Sequence, residues 1–273
     1  MSLSNDPPAA ARRFDLGGRV AVVSGAASGM GRAMALALAE HGADLLLVDL
    51  DGDGAGRVAA RAEGLGRRAL PVACDVSDPG QIRDLFAGLD REFGRVDFLG
   101  NVAGEGVLAR PEEIPLDQVE RVFRNLVFGR LLMCQEAGRR MLAAGRGSIV
   151  NIGSLASTTA LGRGHIAYSM AMGAVVQMTR ELSTEWAGRG VRVNAILPAQ
   201  VLNPGMERRM ESDPTLYARW LGGIPCGRLG APEDIQGLAV LLASDASSWI
   251  TGALIPLDGG NLAANAGATI GGA

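Results

Sequence analysis

Short apolar runs alternate with longer stretches of helical periodicity between residues 19 and 257. The runs lack the polar–apolar alternation of a half-exposed strand, so we predict strands that are buried on both faces. They cover residues 19–23, 45–48, 69–73, 96–99, 148–152, 191–196 and 253–257. Helical patterns lie between them at residues 29–41, 54–66, 78–93, 116–144, 166–188 and 232–243. This order predicts an α/β fold, an open, doubly wound parallel sheet with helices on both faces.

The pattern indicates a single domain over residues 15–261, because neither a repeat nor a low-complexity linker interrupts it. Residues 1–14 and 262–273 are rich in small residues and are predicted to be tails. The first residues lack the apolar stretch of a secretory signal, and no apolar run approaches the ~18 residues that span a bilayer. We therefore expect no membrane segment.

Composition narrows the class of protein further. Of the 273 residues, 48% are hydrophobic and 20% are charged, which fits a packed globule rather than a disordered chain. All 26 basic residues are arginine, and they are dispersed among acids, which argues against nucleic acid as a partner. Three distant cysteines and two distant histidines offer neither a disulfide framework nor a metal site, and we expect a reducing, cytoplasmic location.

A glycine loop follows the first predicted strand and leads directly into a helix. It contains Gly25, Gly29 and Gly31, with Ser28 and Met30 between them. Glycines allow the backbone to approach a ligand closely, and a helix N-terminus attracts phosphate. In this strand–turn–helix context the loop predicts a dinucleotide site.

Asp49 ends the second predicted strand. A carboxylate at this place accepts hydrogen bonds from the adenosine ribose hydroxyls and repels a 2′-phosphate, which favours NAD over NADP. The alternative is that Asp49 is a solvated loop acid like its neighbours Asp51 and Asp53.

Further candidate residues follow the other strands, at the edge where doubly wound sheets bind ligands. Asp75 and Val76 follow the third strand, the segment Asn101-Val102-Ala103-Gly104 the fourth, and Ser154 the fifth, and Tyr168 begins the long helix after it. A hydroxyl and a phenol beside a dinucleotide suit hydride transfer between a carbonyl and an alcohol. Taken alone, each of the two has an equally good structural explanation: Ser154 as a serine in a turn and Tyr168 as a half-buried tyrosine.

These residues together resemble the short-chain dehydrogenase/reductase family, in its ordinary, non-extended branch. The loop matches TGxxxGxG with Ser24 for threonine, NVAG at 101–104 matches NNAG, and Asn125, Ser154 and Tyr168 stand at the catalytic positions. The segments Arg228-Leu229-Gly230 and Asp258-Gly259-Gly260 match the C-terminal signature. The resemblance, over residues 15–261, implies a Rossmann-like sheet of about seven strands and an NAD(P)-dependent oxidoreductase that forms a homotetramer or homodimer.

Two positions depart from the family pattern. The YxxxK motif would place lysine at 172, where this chain has Met172, and PG after the sixth strand becomes Pro198-Ala199. The second change is mild, because Pro198 and the backbone of Val201 would still meet the nicotinamide and Asn203 would replace a threonine. The first removes a charge: at ~4 Å and an effective dielectric of ~20, a cation stabilises a phenolate by about 4 kcal/mol.

Met172 supplies no such charge, so Tyr168 is expected to stay protonated at neutral pH and carbonyl reduction to survive better than alcohol oxidation. We therefore predict an NAD(H)-dependent oxidoreductase acting on a secondary alcohol or ketone, biased towards reduction. Met172 would then contact the cofactor without charge. The alternative is a catalytically weak dinucleotide-binding protein, a sensor or a partner subunit.

The stretch 206–223 combines apolar residues with three arginines. It is either a mobile lid over an apolar substrate that carries a carboxylate, or an amphipathic surface helix. Glu105 and His165 are candidates to line the substrate pocket, and Trp249 is expected in the core or in a subunit contact.

Overall fold

The computed structural model describes residues 9–264, and its centre is a parallel sheet. Seven strands lie in the order β3-β2-β1-β4-β5-β6-β7. They are β1 (Val20–Ser24), β2 (Asp44–Asp49), β3 (Ala69–Ala73), β4 (Phe98–Asn101), β5 (Gly147–Ile152), β6 (Val191–Pro198) and β7 (Leu254–Leu257). The predicted doubly wound fold is confirmed, and the change of direction between β1 and β4 opens a crevice at the carboxyl ends of these strands.

Helices connect the strands and cover both faces of the sheet. They are α1 (Ala9–Arg12), α2 (Gly29–Glu40), α3 (Gly52–Gly64), α4 (Pro79–Glu92), α5 (Leu116–Phe123), α6 (Arg130–Ala144), α7 (Ile166–Trp186), α8 (Pro204–Ser212), α9 (Leu216–Leu221), α10 (Gln236–Ala243) and α11 (Asn261–Ala264). A π-helical segment, Arg124–Gly129, joins α5 to α6, and short 3-10 turns lie at Leu155–Ser157, Ala187–Arg189, Pro232–Ile235 and Asp245–Ser247.

Both faces of the central strands are buried, as the uninterrupted apolar runs predict, whereas the edge strands β3 and β7 are only partly buried. In β1, Ala21 and Val23 pack against α2 and α10, whereas Val20 and Val22 face the opposite layer with α4 and α6. Successive side chains of a strand point to opposite faces, so a strand covered on both sides needs apolar residues at every position. The sheet therefore lies between two hydrophobic clusters, one on each face.

Several predicted boundaries differ from the structure. The fourth strand begins at Phe98 rather than at residue 96, and the predicted helix 116–144 is interrupted by the π-helical segment. The stretch 206–223 forms parts of two helices, α8 and α9. The predicted tails contain the one-turn helices α1 and most of α11, and their remaining residues, 1–8 and 265–273, lie outside the described part of the chain.

A buried network of amide and hydroxyl groups fastens α7 to the sheet. Asn101 Nδ2 donates to Asn151 Oδ1 at 2.9 Å, and Asn151 Nδ2 donates to Thr179 Oγ1 at 3.0 Å. The Thr179 hydroxyl in turn donates to the carbonyl of Val175 at 2.9 Å. Asn101, Asn151 and Thr179 are each at most 1% exposed, so a lost partner would leave a polar group without water.

We predict that Thr179→Val lowers the free energy of unfolding by about 1–3 kcal/mol, because the Asn151 amide loses its acceptor in the core. Thr184→Val is the matched control, since exposed Thr184 donates the same i−4 bond, to Arg180, without reaching the sheet. Urea unfolding of both variants measures the difference. Equal losses in the two variants would show that the bond to Asn151 contributes nothing.

Candidate active site

The glycine loop after β1 forms a cradle at the start of α2. Gly25 and Gly29 have positive φ of 70° and 51°, and a Cβ on Gly31 would collide with the carbonyl of Gly25. Ser28 is the N-cap residue, but its side chain does not accept a hydrogen bond from the first N–H groups of α2. A Cβ built on Gly29 meets nothing within 4 Å, whereas Met30 packs against the core. This open helix N-terminus fits a pyrophosphate group.

Asp49 stands beside this cradle. Its Oδ2 accepts the N–H of Ala27 at 2.9 Å and its Oδ1 accepts that of Asp51 at 3.0 Å. These bonds hold the carboxylate against the loop and leave lone pairs on both oxygens. The next residue, Leu50, is 73% exposed and uncharged. A half-buried acid in this position fits ribose hydroxyls better than a phosphate.

The segment after β4 is tied to β1 through Ser24. The Ser24 hydroxyl accepts the N–H groups of Val102 at 3.0 Å and Ala103 at 3.2 Å. Gly104 has φ of 141°, and a Cβ on it would collide with Leu126. The side chain of Asn101 is 1% exposed and belongs to the buried network that fastens α7.

Asp75 and Val76 follow β3 in an ordered turn. Asp75 Oδ1 accepts the N–H of Ser77 at 2.8 Å, and the Asp75 N–H donates to Gln81 Oε1 at 2.8 Å. Val76 is 8% exposed, and its carbonyl lies against Gly129, where a Cβ would collide with it. The turn after β3 thus packs directly on the helical segment that carries Asn125.

Ser154 lies two residues beyond the end of β5 and is 8% exposed. Its hydroxyl accepts the N–H of Ala156 at 3.2 Å, and its own N–H donates to Ser157 Oγ at 3.1 Å. This reciprocal cap fixes the backbone of Ser154 while the hydroxyl proton remains available to a further acceptor.

Tyr168 lies in the first turn of α7 and is half-buried. Its ring covers Gly106, where a built Cβ would come within 2.6 Å of Tyr168 Cδ2. The His165 ring meets it edge-on, with centroids 6.2 Å apart. Burial lowers the pKa of the His165 imidazole, and the positive charges of Arg163 and Arg209 act in the same direction. His165 is therefore neutral at pH 7 and forms part of the site.

Met172 is 1% exposed and belongs to an apolar cluster between α5, the π-helical segment and α7. The cluster consists of Val122, Leu126, Ala156, Ala167, Ala171, Met172 and Val175, with Tyr168 at its margin. The position one helical turn after Tyr168 therefore contributes packing and no charge.

Arg130 brings to the site a charge that sequence reasoning missed. It is 4% exposed, and its guanidinium donates from Nη1 to the carbonyl of Ile152 and from Nη2 to that of Ala103 at 3.1 Å. The Tyr168 phenolate would interact favourably with it. The available signal was that Arg130 shares a helix face with small and apolar residues, Met133, Cys134, Ala137 and Met141.

Asn125 lies in the π-helical segment, half-buried, and its Oδ1 has no hydrogen-bond partner in the described residues. A π-helical turn adds one residue and often marks a functional site. Asn125 Oδ1 lies close to Gly104, since a built Cβ there would stand 2.9 Å from it. The structure thus brings Asn125 to the loop that follows β4.

The segment after β6 is held by main-chain bonds. Pro198 ends the strand, and Val201 forms a parallel bridge with Gly230. The side chain of Asn203, expected to replace the family threonine, is already engaged in hydrogen bonds. Its Oδ1 accepts the N–H of Met206 and caps α8, and its Nδ2 donates to the carbonyl of Val201 at 3.1 Å. Asn203 therefore shapes the segment.

Arginines gather beside His165 at the outer side of the site. Arg163 is a non-glycine residue with positive φ, 60°, and burial lowers its pKa together with the charges of Arg209 and Arg219. Arg209 stacks over the Trp220 ring at 5.5 Å, and Arg219 pairs with Asp213. In the described residues Arg163 and Arg209 have no carboxylate partner within salt-bridge distance.

Other candidates lie outside this chemistry. Burial raises the pKa of the Cys74 thiol to about 11 and that of Cys134 to about 12, so neither is a nucleophile at neutral pH. Glu105 is exposed, and Trp249, which is 99% exposed, is not in the core. Residues 9–264 contain no group of metal-binding side chains and no helix able to cross a membrane.

Known proteins are similar to this chain in sequence and in fold. A family model described as enoyl-(acyl carrier protein) reductase matches residues 25–261. The chain is 42% identical over 247 residues to D-threitol dehydrogenase of Mycolicibacterium smegmatis, with 90% of this chain and 94% of that protein covered. It is 37% identical over 252 residues to NAD-dependent glycerol dehydrogenase of Listeria innocua, with 90% and 95% covered.

The fold of this chain is also similar to that of a solved structure. Gluconate 5-dehydrogenase from Burkholderia cenocepacia, in complex with NADP and tartrate, superposes with a TM-score of 0.87 at 30% identity, covering 93% of this chain and 99% of that one. Because the family model and these relatives extend over most of its length, the chain belongs to the short-chain dehydrogenase/reductase family, in the ordinary, non-extended branch, and is an oxidoreductase of that type.

Proposed function

We propose that this protein is an NAD(H)-dependent oxidoreductase that transfers a hydride between nicotinamide and a secondary alcohol or its ketone. The proposal is carried by one observation. A phenol, a serine hydroxyl and an open glycine cradle lie at the same carboxyl edge of one sheet.

The chain's own residues divide the work. The loop from Gly25 to Gly31 and Asp49 would hold the dinucleotide, which supplies the hydride acceptor or donor when bound. The Ser154 hydroxyl donates a hydrogen bond to the substrate oxygen, and the Tyr168 phenol donates a proton to that oxygen in reduction or accepts it, as phenolate, in oxidation. Asn125 lies in the π-helical segment, beside the loop that follows β4.

The reduction bias remains a prediction. Met172 supplies no charge, so a protonated Tyr168 phenol would favour giving a proton to the substrate. The reasoning from sequence assumed that no other cation lies near the phenol. Arg130 is a buried cation that interacts electrostatically with the phenol.

We predict that Tyr168→Phe lowers ketone reduction at least about 100-fold while NADH binding stays within a factor of two or so, because the phenol moves the proton but does not hold the adenine half. NADH fluorescence measures binding, and NADH consumption over a panel of ketones measures turnover. Wild-type protein that binds NADH and turns over none of them would favour the alternative, a catalytically weak dinucleotide-binding protein.

The cofactor is proposed to be NAD rather than NADP. The Asp49 carboxylate is held at the edge of the cradle by two backbone N–H groups, and a 2′-phosphate there would meet its negative charge. The neighbouring Leu50 offers no compensating cation. The relatives include a protein named as NAD-dependent and structures solved with NADP, so the preference depends on this chain's own residues.

Asp49→Asn is expected to lower the NADH-over-NADPH preference in binding by about tenfold or more, because the amide keeps an acceptor for Ala27 but loses the charge. Asp53→Asn is the matched control, since exposed Asp53 lies in the first turn of the next helix. Fluorescence titration with both nucleotides gives the ratio. Wild-type protein that binds NADPH as tightly as NADH would contradict the proposal.

The substrate is proposed to be a hydroxylated small molecule that carries a carboxylate. Arg163 and Arg209 approach His165 beside Tyr168, and neither has a carboxylate partner within salt-bridge distance among residues 9–264. Two neighbouring cations repel each other, and an anionic substrate would relieve that repulsion. Relatives act by name on neutral polyols and on gluconate, so both classes belong in the test.

We predict that sugar acids of four to six carbons are oxidised with a higher kcat/KM than the alditols of equal length. Arg209→Gln should lower kcat/KM about fivefold for the acids and leave the alditols unchanged, because only the acids pair with the guanidinium. Arg208→Gln, at the exposed neighbouring position, is the control. A wild-type preference for alditols, with no effect of Arg209→Gln, would reject a carboxylate-bearing substrate.

Assembly and location complete the proposal. A homotetramer or homodimer is supported by Trp249, whose nearly complete exposure suits a subunit contact. Three unpaired cysteines, two of them buried, support a reducing cytoplasm. A small-molecule alcohol or ketone is the proposed partner, without nucleic acid.

A further inference from the structure

Arg130 is a buried cation without a counter-ion. It is 4% exposed, and among the described residues no carboxylate lies within salt-bridge distance of it. The contrast within the same protein is Asp97, 8% exposed, which pairs with Arg95 at 2.6 Å and with Arg146 at 3.6 Å. Removing an ion from water costs several kcal/mol unless charge and hydrogen bonds compensate it. The position of Arg130 therefore needs a physical reason.

Its hydrogen bonds compensate this cost only in part. The two terminal nitrogens donate to the carbonyls of Ile152 and Ala103, and the Nε–H has no acceptor among the described residues. Burial lowers the pKa of the Arg130 guanidinium to about 10, so the group remains charged at neutral pH. A charged group with an unused donor at the active edge is suited to stabilise negative charge that forms nearby.

The groups that face Tyr168 come from three elements. Arg130 of α6 interacts with it electrostatically, His165 at the N-cap of α7 meets its ring edge-on, and the ring covers Gly106 of the loop after β4. His165 is neutral at pH 7 for the reasons given above. Cys134 lies beside Arg130, and burial keeps it a neutral thiol. Two further cations, Arg163 and Arg209, act electrostatically on His165, and Arg130 is the buried cation that interacts electrostatically with the phenol.

We propose that Arg130, on α6, supplies the positive charge that stabilises the Tyr168 phenolate during proton transfer. Met172, one turn after Tyr168 on α7, supplies no such charge. This inference rests on the proposed function, since it describes how the same phenol changes its proton. Arg130 acts through Tyr168 and is a positioning residue. Its bonds to Ala103 and Ile152 hold the guanidinium between the loop after β4 and the segment that leads to Ser154.

The proposal changes the expected direction of the reaction. With Arg130 present, the phenolate is accessible nearer to neutral pH, so the reduction bias predicted from Met172 is weakened in the wild-type protein. Without Arg130 the phenol loses its buried cation, and the bias appears in full. The alkaline rise of alcohol oxidation should then move to higher pH in Arg130→Gln.

The direct test uses the small number of tyrosines. The chain has two, so Tyr217→Phe leaves Tyr168 as the single phenol that titrates. We predict that adding Arg130→Gln to this background raises the midpoint of the tyrosinate absorbance titration by about one pH unit or more, because the phenolate loses its cation. Arg130→Lys should restore at least half of the shift. Arg124→Gln, an exposed arginine of the preceding π-helical segment, should leave the midpoint unchanged.

Circular dichroism at each pH ensures that the midpoint is measured on folded protein. An unchanged midpoint in folded Arg130→Gln would overturn the proposal and leave Arg130 as a tie between two carbonyls. A midpoint that moves while wild-type protein turns over neither alcohols nor ketones would retain the electrostatic link and reject the proposed function. The two failures are therefore distinguishable.

A second measurement needs no change at Arg130, in case Arg130→Gln does not fold. If the folded state favours the phenolate, the stability of the wild-type protein relative to Tyr168→Phe rises with pH, because the unfolded chain then binds the proton more tightly than the folded one. Urea unfolding between about pH 8 and about pH 10 measures this difference. A difference that stays flat or falls as the pH rises would overturn the proposal.

Discussion

One buried guanidinium joins the two strand ends between which the chemistry is proposed to occur. Ala103 lies two residues beyond the end of β4, Ile152 is the last residue of β5, and Arg130 donates to the carbonyls of both. Buried carbonyls need donors, so this bond pair is a structural requirement as well as a source of charge. The guanidinium thereby connects α6 to the loop after β4 and to the strand end that precedes Ser154.

The cradle and the crevice depend on close backbone approach. Gly31 lies against the carbonyl of Gly25, Gly129 against that of Val76, and Gly104 against Leu126, and in each place a Cβ would collide. These contacts draw α2 and the helix of Asn125 onto the ends of β1, β3 and β4. The small residues of the glycine loop leave the N-terminus of α2 open, whereas larger side chains in that loop would cover it. Recognition of the cofactor and packing of the fold therefore use the same glycines.

Charge is distributed unevenly around the proposed substrate. The inner side holds one cation, Arg130, against neutral groups, whereas the outer side holds Arg163 and Arg209 near the half-buried His165. The outer arginines lie next to water and can bind a substrate anion reversibly. The inner one is fixed by two carbonyls and affects the phenol instead. Arginine thus has two proposed roles, which differ with burial: the buried Arg130 acts on the phenol, and the more exposed Arg163 and Arg209 bind the substrate anion.

The sequence by itself determined the order and type of the elements, because buried parallel strands and amphipathic helices have distinct local periodicities. It also located the glycine loop, Asp49, Ser154 and Tyr168, whose positions follow strand ends that must share one edge. The π-helical segment, the division of residues 206–223 into α8 and α9, and the commitment of Asn203 to a helix cap depended on packing. Only the tertiary structure decided that Arg130 interacts electrostatically with Tyr168, and Arg163 with Arg209. Each pair is distant along the chain, and a contact between separate elements has no local pattern from which to predict it.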